Sequence, residues 1–301
     1  MKSYLIFRTD RIGDFLLTAI LIRAIKRNDP NSSIQVVGST KNYNYIRSFK
    51  SVNEVFLLKE GFFNRLKLLI LLKKKVYQNV IIHDAKQRSK IISFFLSKQK
   101  IINTYVHSNT SHFDDIKSIL RSLNLNFNIS DLNTLEDRTF LPANTDTQIL
   151  NFKEGYALFH FDEKWIYNRS LSNYTNIEPS EDALISLFNS IVSKTNLNLV
   201  ISTGLDTPKI LKKIFSNKFN SKVFLYEKSN FLEIERLIYN SNLLISCHGA
   251  VSHVAAAKNI KQVDIIDRSY NYSRWTDHFR NYQSLNRKNF SELSTDIINL
   301  L

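Results

Sequence analysis

The chain has 301 residues, 43% of them hydrophobic, with a formal net charge of +14 and a single cysteine, Cys247. That size and apolar content support one large or two medium packed domains and exclude a disordered chain; the lone cysteine excludes an internal disulfide, and no Cys and His cluster has zinc-finger spacing. A charge follows too soon after the first apolar residues for a signal peptide, and the apolar runs at 68–72 and 91–96 are too short to span a bilayer, so the expected location is cytoplasmic, at most peripheral at the inner face of the membrane.

In chain order, 4–7 is a short apolar run that ends in a polar loop, and Leu16, Leu17, Ile20, Leu21, Ala24 and Ile25 then recur at helical spacing. The pattern predicts further strands over 33–37, 54–58, 79–82 and 101–105, and helices over 43–48, 62–75, 89–97 and 114–123. Between 124 and 147 the periodicity fades into Asn, Asp and Thr with Pro142, the expected linker. It restarts with strands over 156–161, 197–202, 223–226, 243–246 and 262–266, and helices over 180–195, 208–215, 231–240, 251–258 and 290–301. Alternating strands and helices imply parallel sheets covered on both faces. The expected fold class is α/β, with two Rossmann-like doubly wound domains, 1–145 and 146–301, facing across a cleft and binding ligands at the carboxyl ends of their strands.

The first strand runs into Arg8-Thr9-Asp10-Arg11-Ile12-Gly13-Asp14, with Thr18 one turn into the helix. Free amides at the helix start favour an anion, Gly13 permits close approach of a ligand, and the helix dipole favours an ionised Asp14. Two readings stand at this point: Asp14 as a general base for a hydroxyl, or as an ordinary helix cap with Arg8 and Asp10 as an ion pair. The run Arg8-Thr-Asp-Arg-Ile-Gly-Asp-Phe-Leu-Leu-Thr18 closely resembles the N-terminal signature of glycosyltransferase family 9, the ADP-heptose:lipopolysaccharide heptosyltransferases, and 22–26, Ile-Arg-Ala-Ile-Lys, resembles that family's first helix. The resemblance implies the GT-B fold, with an acceptor-binding first domain, a nucleotide-sugar-binding second domain and a terminal helix that packs back on the first. It also implies Asp14 as the base that deprotonates the acceptor, with Arg8, Asp10, Arg11 and Gly13 beside it.

A second strand-to-helix loop, Ser246-Cys247-His248-Gly249, opens a helix of small residues, and Gly249 with free amides can cradle a phosphate. The family carries a similar loop, Asp-Ser/Thr-Gly followed by His and alanines, on the donor. His253 and the alanines match, whereas Cys247 or His248 stands where the family has its acid. Gly249, His248, Ser252 and His253 are therefore donor-side candidates, His248 as a hydrogen-bonding or, when protonated, phosphate-binding group. The other reading places both histidines as helix caps or core. A metal held by His248 and His253 is rejected for want of a third ligand, and Cys247 reads as a small buried residue, not a nucleophile.

His160-Phe161-Asp162-Glu163-Lys164-Trp165 ends another strand, at a position where the family has a phosphate-contacting Lys; Lys164 takes that role by resemblance, with Asp162 and Glu163 to orient it, against a plain solvated loop. Thr203-Gly204 follows the next strand and could touch nucleotide, although an ordinary turn is the simpler reading. Tyr270 and Tyr272, between Arg268 and Arg274, could border a base or sugar. In the first half, Lys86 and Arg88 follow His83-Asp84 at a strand end and could receive an anionic acceptor.

The net charge has three readings: codon-biased composition, an anionic substrate or membrane, or nucleic acid. The resemblance implies inverting, metal-independent transfer of a sugar, heptose among the candidates, from a nucleotide diphosphate-sugar to a lipopolysaccharide-core or other surface glycan. No cofactor, metal or nucleic acid is expected; the partners are the donor, an anionic glycan or glycolipid and a peripheral membrane contact. The alternatives are a nucleotide-sugar epimerase on the same fold and a non-catalytic relative that binds glycan or polyanion.

Overall fold

A computed structural model describes residues 2–104, 110–139, 152, 154–166, 177–216 and 220–301 of the chain. By its internal contacts the chain divides into two compact units: Met1–Phe140 with Ser273–His278, and Leu141–Tyr272 with Phe279–Leu301. The expected boundary at 145 lies outside the described residues.

The first unit runs β1 (Ser3–Phe7), α1 (Ile12–Asn28), β2 (Ser33–Ser39), α2 (Tyr43–Ile46), β3 (Glu54–Leu58), α3 (Phe62–Lys73), β4 (Tyr77–Ile82), α4 (Gln87–Phe94), β5 (Lys98–Asn103) and α5 (His112–Ser122). Its sheet has the order β3-β2-β1-β4-β5, and each neighbouring pair is parallel. The central strand is an unbroken apolar run because both of its faces are covered. On one face Leu5, Phe7, Val80 and Ile82 meet Leu68 and Leu72 of α3 and Ile92 of α4. The alternate residues Tyr4, Ile6, Val36 and Ile81 are buried on the other face. Residues 124–139 do not behave as the expected linker. They form short 3-10 turns, Ile129–Leu132 and Thr134–Asp137, pinned to this unit by Asp131 on Arg27 (3.0 Å) and by Asp137, which accepts from Ser51 Oγ (2.8 Å). Their polar composition reads as a link because carboxylate contacts and only two buried leucines, Leu132 and Leu135, anchor them, too few for an apolar periodicity.

The second unit runs β6 (Tyr156–His160), α6 (Glu181–Thr195), β7 (Asn198–Ser202), α7 (Lys209–Ser216), β8 (Val223–Tyr226), α8 (Phe231–Asn240), β9 (Leu243–Cys247), α9 (Ala250–Lys258) and β10 (Lys261–Ile266). After it come α10 (Ser273–Thr276), which falls in the first unit and packs on α5, then β11 (Tyr282–Asn286) and α11 (Phe290–Leu300). The order β11-β10-β9-β6-β7-β8 is again all parallel and matches the doubly wound dinucleotide-binding order. Helix α6 starts where Ser180 accepts from the Ala183 amide and stops at Asn196 in the left-handed region, φ 58. Terminal helix α11 packs against α6 and β11 of its own unit. Strand β11 escapes sequence reading because Tyr-Gln-Ser-Leu-Asn lies at the sheet edge, where the solvated positions leave no period-two apolar pattern.

Candidate functional site

In each sheet the crossovers reverse direction beside the strand that starts the unit, and ligands of such sheets bind there, at the carboxyl ends. In the first unit the reversal lies between β1 and β4, which brings the loop Arg8–Arg11 beside the loop His83–Lys86. Arg8 is buried, and its guanidinium ties the two loops: Nη1 donates to the His83 carbonyl (2.6 Å) and Nε to the Asp14 carbonyl (2.9 Å). Asp10 lies 3.6 Å from Nη1 and Asp14 Oδ1 lies 3.9 Å from Nη2. Thr9 Oγ1 donates to Asp84 (2.6 Å) and accepts from Arg88 (2.9 Å), while the Lys86 ammonium pairs with Asp10. Arg8, Asp10, Asp14, Lys86 and Arg88 therefore form one cluster, whereas Arg11 points to solvent.

Asp14 occupies the first turn of α1 and accepts the Arg11 amide through Oδ2 (3.1 Å), so the helix-cap geometry is present. Its side chain stays 28% exposed, and the cap bond, made by Oδ2, leaves Oδ1 beside Arg8. Gly13 is helical and buried, and its φ is not positive, so the turn itself does not require glycine there. Behind the loop His83 Nδ1 pairs with Thr18 Oγ1 (2.8 Å), and burial, reinforced by Arg8 and His112, holds the His83 pKa well below its ordinary value.

In the second unit the reversal lies between β6 and β9. Asp162 caps the short turn Glu163–Trp165 by accepting the Lys164 amide (3.0 Å) and the Lys164 ammonium (2.6 Å). Burial opposes the charge on each partner, yet Asp162 raises the pKa of Lys164 and Lys164 lowers that of Asp162, so the pair is fully ionised at neutral pH. The ammonium lies over Gly249: a Cβ built there would sit 3.1 Å from Lys164 Nζ. The backbone at Gly249 is extended, so close approach and not dihedral strain favours glycine. Gly249 caps α9, whose first-turn amides have no intrahelical partners. A cation over an open helix start is a cradle for a phosphate group.

Strand β10 supports this loop from behind. Asp264, fully buried, accepts from His248 Nδ1 (2.5 Å), Ser252 Oγ (2.7 Å) and Tyr282 OH (3.4 Å). The carboxylate fixes His248 as its Nδ1–H tautomer and leaves Nε2 for a ligand. Ser252 also accepts the Gly249 amide (3.2 Å), so its hydroxyl braces the loop and does not point outward. His253 packs edge-on to His248 with ring centres 5.7 Å apart. Arg287 donates to the Lys164 carbonyl (2.6 Å) and Cys247 Sγ (3.4 Å), joining the β6 and β9 loops. Burial drives the Cys247 pKa far up, so it remains a thiol and is no nucleophile.

Thr203 does not join this group. It is fully buried, and its hydroxyl accepts the Lys228 amide (3.1 Å) and holds its own turn. Gly204 lines a cavity of about 810 Å³ that adjoins the Asp162–Glu163 turn, with Glu178, Asp206 and Lys209 also in its wall, an acid-rich lining ill suited to a diphosphate. Among the described residues no group of three or more His, Cys, Asp or Glu side chains could hold a metal ion. Sequence reading missed Asp264, Tyr282 and Arg287. Asp264 carries a legible signal, an acid inside an otherwise apolar strand; the other two sit on or after the unread β11.

No family model and no curated protein matches the sequence. Solved structures match the fold. A family 9 glycosyl transferase from Veillonella parvula aligns over 99% of this chain and 91% of its own at 11% identity, with a TM-score of 0.70. The fold is GT-B. Escherichia coli heptosyltransferase WaaC, solved with ADP, aligns over 99% of this chain and 100% of its own at 11% identity and TM-score 0.67. A UDP-N-acetylglucosamine 2-epimerase aligns over 100% of this chain and 87% of its own at 12% identity and TM-score 0.56. The GT-B architecture thus hosts more than one reaction, and the choice among them rests on the residues of the two loops.

Proposed function

We propose that the protein is an inverting, metal-independent glycosyltransferase that moves a sugar from a nucleotide diphosphate-sugar to an anionic surface glycan or glycolipid such as a lipopolysaccharide core. The observation that carries this reading is the chemical division between the reversal points of the two sheets: a partly exposed carboxylate in the first turn of α1 in one unit, and an ammonium over the open start of α9 in the other. In this reading 1–145 is the acceptor domain and 146–301 the donor domain. Asp14 takes the proton of the acceptor hydroxyl. The oxygen attacks the anomeric carbon opposite the diphosphate, the bond to the diphosphate breaks, and the nucleotide leaves with the electron pair. Lys164 and the α9 amides meet the charge that develops on the leaving diphosphate. His248 and His253 contact the donor, Ser252 and Gly249 shape its loop, and Arg8, Asp10, Arg11, Lys86 and Arg88 set the field around the acceptor. Heptose is one donor sugar this chemistry accommodates, and a peripheral contact with the inner membrane surface would bring the enzyme to a lipid-borne acceptor.

The test is a thermal-shift and turnover screen. At a hundredfold excess over Kd, a bound nucleotide adds about 2.7 kcal/mol to stability, a shift that a melt resolves. Failure of every nucleoside diphosphate and nucleotide-sugar to raise Tm would sink the reading. The match to an epimerase favours a second one: conversion of nucleotide-sugar without any acceptor would establish that reaction, and binding without any turnover would leave a glycan-binding relative.

A further inference from the structure

Helices α3 and α4 cover one face of the first sheet but bury little of themselves. Only Leu68 and Leu72 of α3 are buried, and α4 adds Ile92 to the same core. The outward faces are not polar, as a surface helix normally is. On α3, Phe62 and Phe63 are 73% and 75% exposed, followed one and two turns on by exposed Leu66 and Ile70; on α4, Ile91, Phe94 (73%) and Phe95 are exposed. Lys73 Nζ lies 5.8 Å from the centre of the Phe95 ring, so the C-terminal ends of the two helices meet. Around them the charge is one-sided. Residues 59–100 hold eleven Lys and Arg against Glu60 and Asp84; Lys86 and Arg88 belong to the β4-loop cluster and Lys75 pairs with Glu54, while Arg65, Lys67, Lys73 and Lys74 are exposed on and just after α3.

We infer that this face is a docking surface for an anionic lipid bilayer, with the phenylalanines and aliphatic side chains entering the headgroup region and Arg65, Lys67, Lys73 and Lys74 lying on the lipid phosphates. It deepens, and rests on, the membrane contact in the proposed function. An apolar centre ringed by cations is the composition of an interfacial helix pair, and the bulk of its free energy would come from both parts together. The charge decides against a second copy of this chain, because two such faces repel. The exposed Leu66, Ile70 and Ile91 decide against nucleic acid, which would engage the cations and leave the aliphatic groups in water.

The experiment is co-sedimentation of the full chain with vesicles of phosphatidylethanolamine and phosphatidylglycerol, and with phosphatidylcholine alone. The wild type pellets with the anionic vesicles and not with the neutral ones. Phe62→Ser/Phe63→Ser/Phe94→Ser and, separately, Lys73→Glu/Lys74→Glu each lower the vesicle partition coefficient about tenfold or more. Both variants retain the wild-type melting temperature, since none of these residues belongs to the core. Three results would each overturn the inference: no pelleting of the wild type, pelleting unchanged in the phenylalanine variant, or a dimer in analytical centrifugation that this variant dissociates. Displacement from vesicles by oligonucleotide at physiological salt would also overturn it. The assay contains no donor and no acceptor sugar, so its failure leaves the transferase reading intact, and a protein that binds vesicles but no nucleotide would fail that reading alone.

Discussion

The β1/β4 reversal and the β6/β9 reversal occupy the same topological position in their units and solve it in opposite ways. Around β1 the charges compensate one another: Arg8 lies between Asp10 and Asp14, Lys86 pairs with Asp10, and Arg88 and Asp84 share Thr9. Around β9 the compensation is displaced one layer back, with Asp162 under Lys164 and Asp264 under His248, so that cationic and amide donors form the surface. Two copies of one architecture thus present a carboxylate in one case and an anion cradle in the other. Sequence position in the fold does not set the chemistry; the placement of the counter-charge does.

Asp14→Asn should separate the two loops most sharply. It keeps the hydrogen bond that Arg11 donates and removes the basic oxygen, so kcat/KM for transfer should fall by about 10²–10⁴ while nucleotide affinity stays unchanged. Steady-state kinetics with calorimetry on the same sample reads both, and transfer that survives would reduce Asp14 to a cap. Lys164→Met is the converse. Loss of a charge-assisted contact should weaken nucleoside diphosphate binding about 10- to 100-fold. The variant also leaves Asp162 buried without its cation, and Asp162→Asn in the same chain should recover part of the lost stability, which a double-mutant cycle in urea measures. Unchanged affinity in Lys164→Met would place the diphosphate elsewhere.

Much of this was legible in the sequence, unevenly. The alternation of apolar runs and 3.6-residue periodicity predicts ten of the eleven strands among the described residues, because strands buried on both faces leave continuous apolar signals. The charged loop at 8–14 and the glycine at 249 were visible as strand-to-helix turns. What no local pattern showed was partnership across 16 to 123 residues: Asp264 behind His248, and Arg287 on the Lys164 carbonyl. Those contacts depend on strand order, which periodicity does not encode. The basic apolar face was hidden differently. Each window of α3 reads as an ordinary amphipathic helix, and only the burial of Leu68 and Leu72 alone shows that its other apolar residues face outward.

The units should also differ in acid. His83 of the first unit and His160 of the second are buried and His278 of the first is partly buried, all with lowered pKa values, about 3 for His278 and about 4 for His160. Burial is the main cause in each, because it penalises the imidazolium. The unfolded chain takes up these protons near pH 6.5 and the folded one does not, so stability is complete above that pH and declines as pH falls toward 4. Each histidine should cost about 1 kcal/mol between pH 7 and 5.5. Hydrogen exchange resolved by peptide should show the first unit opening before the second. Equal loss in both would remove the difference.

The smallest effect should come from Asp264→Asn, and it tests the layer behind the β9 loop most directly. If Asp264 only fills the sheet, the variant loses stability and nothing else. If it fixes the tautomer of His248, an amide in its place can meet Nδ1 as donor or acceptor, and the imidazole no longer presents Nε2 in one protonation state. Nucleotide affinity should then fall by about two- to tenfold, the worth of one hydrogen bond. His248→Gln should lower nucleotide affinity without the loss of stability, since His248 is 13% exposed and Asp264 keeps Ser252 and Tyr282 as donors. Affinity unchanged in Asp264→Asn but lowered in His248→Gln would make the carboxylate a packing residue and leave the imidazole to act alone.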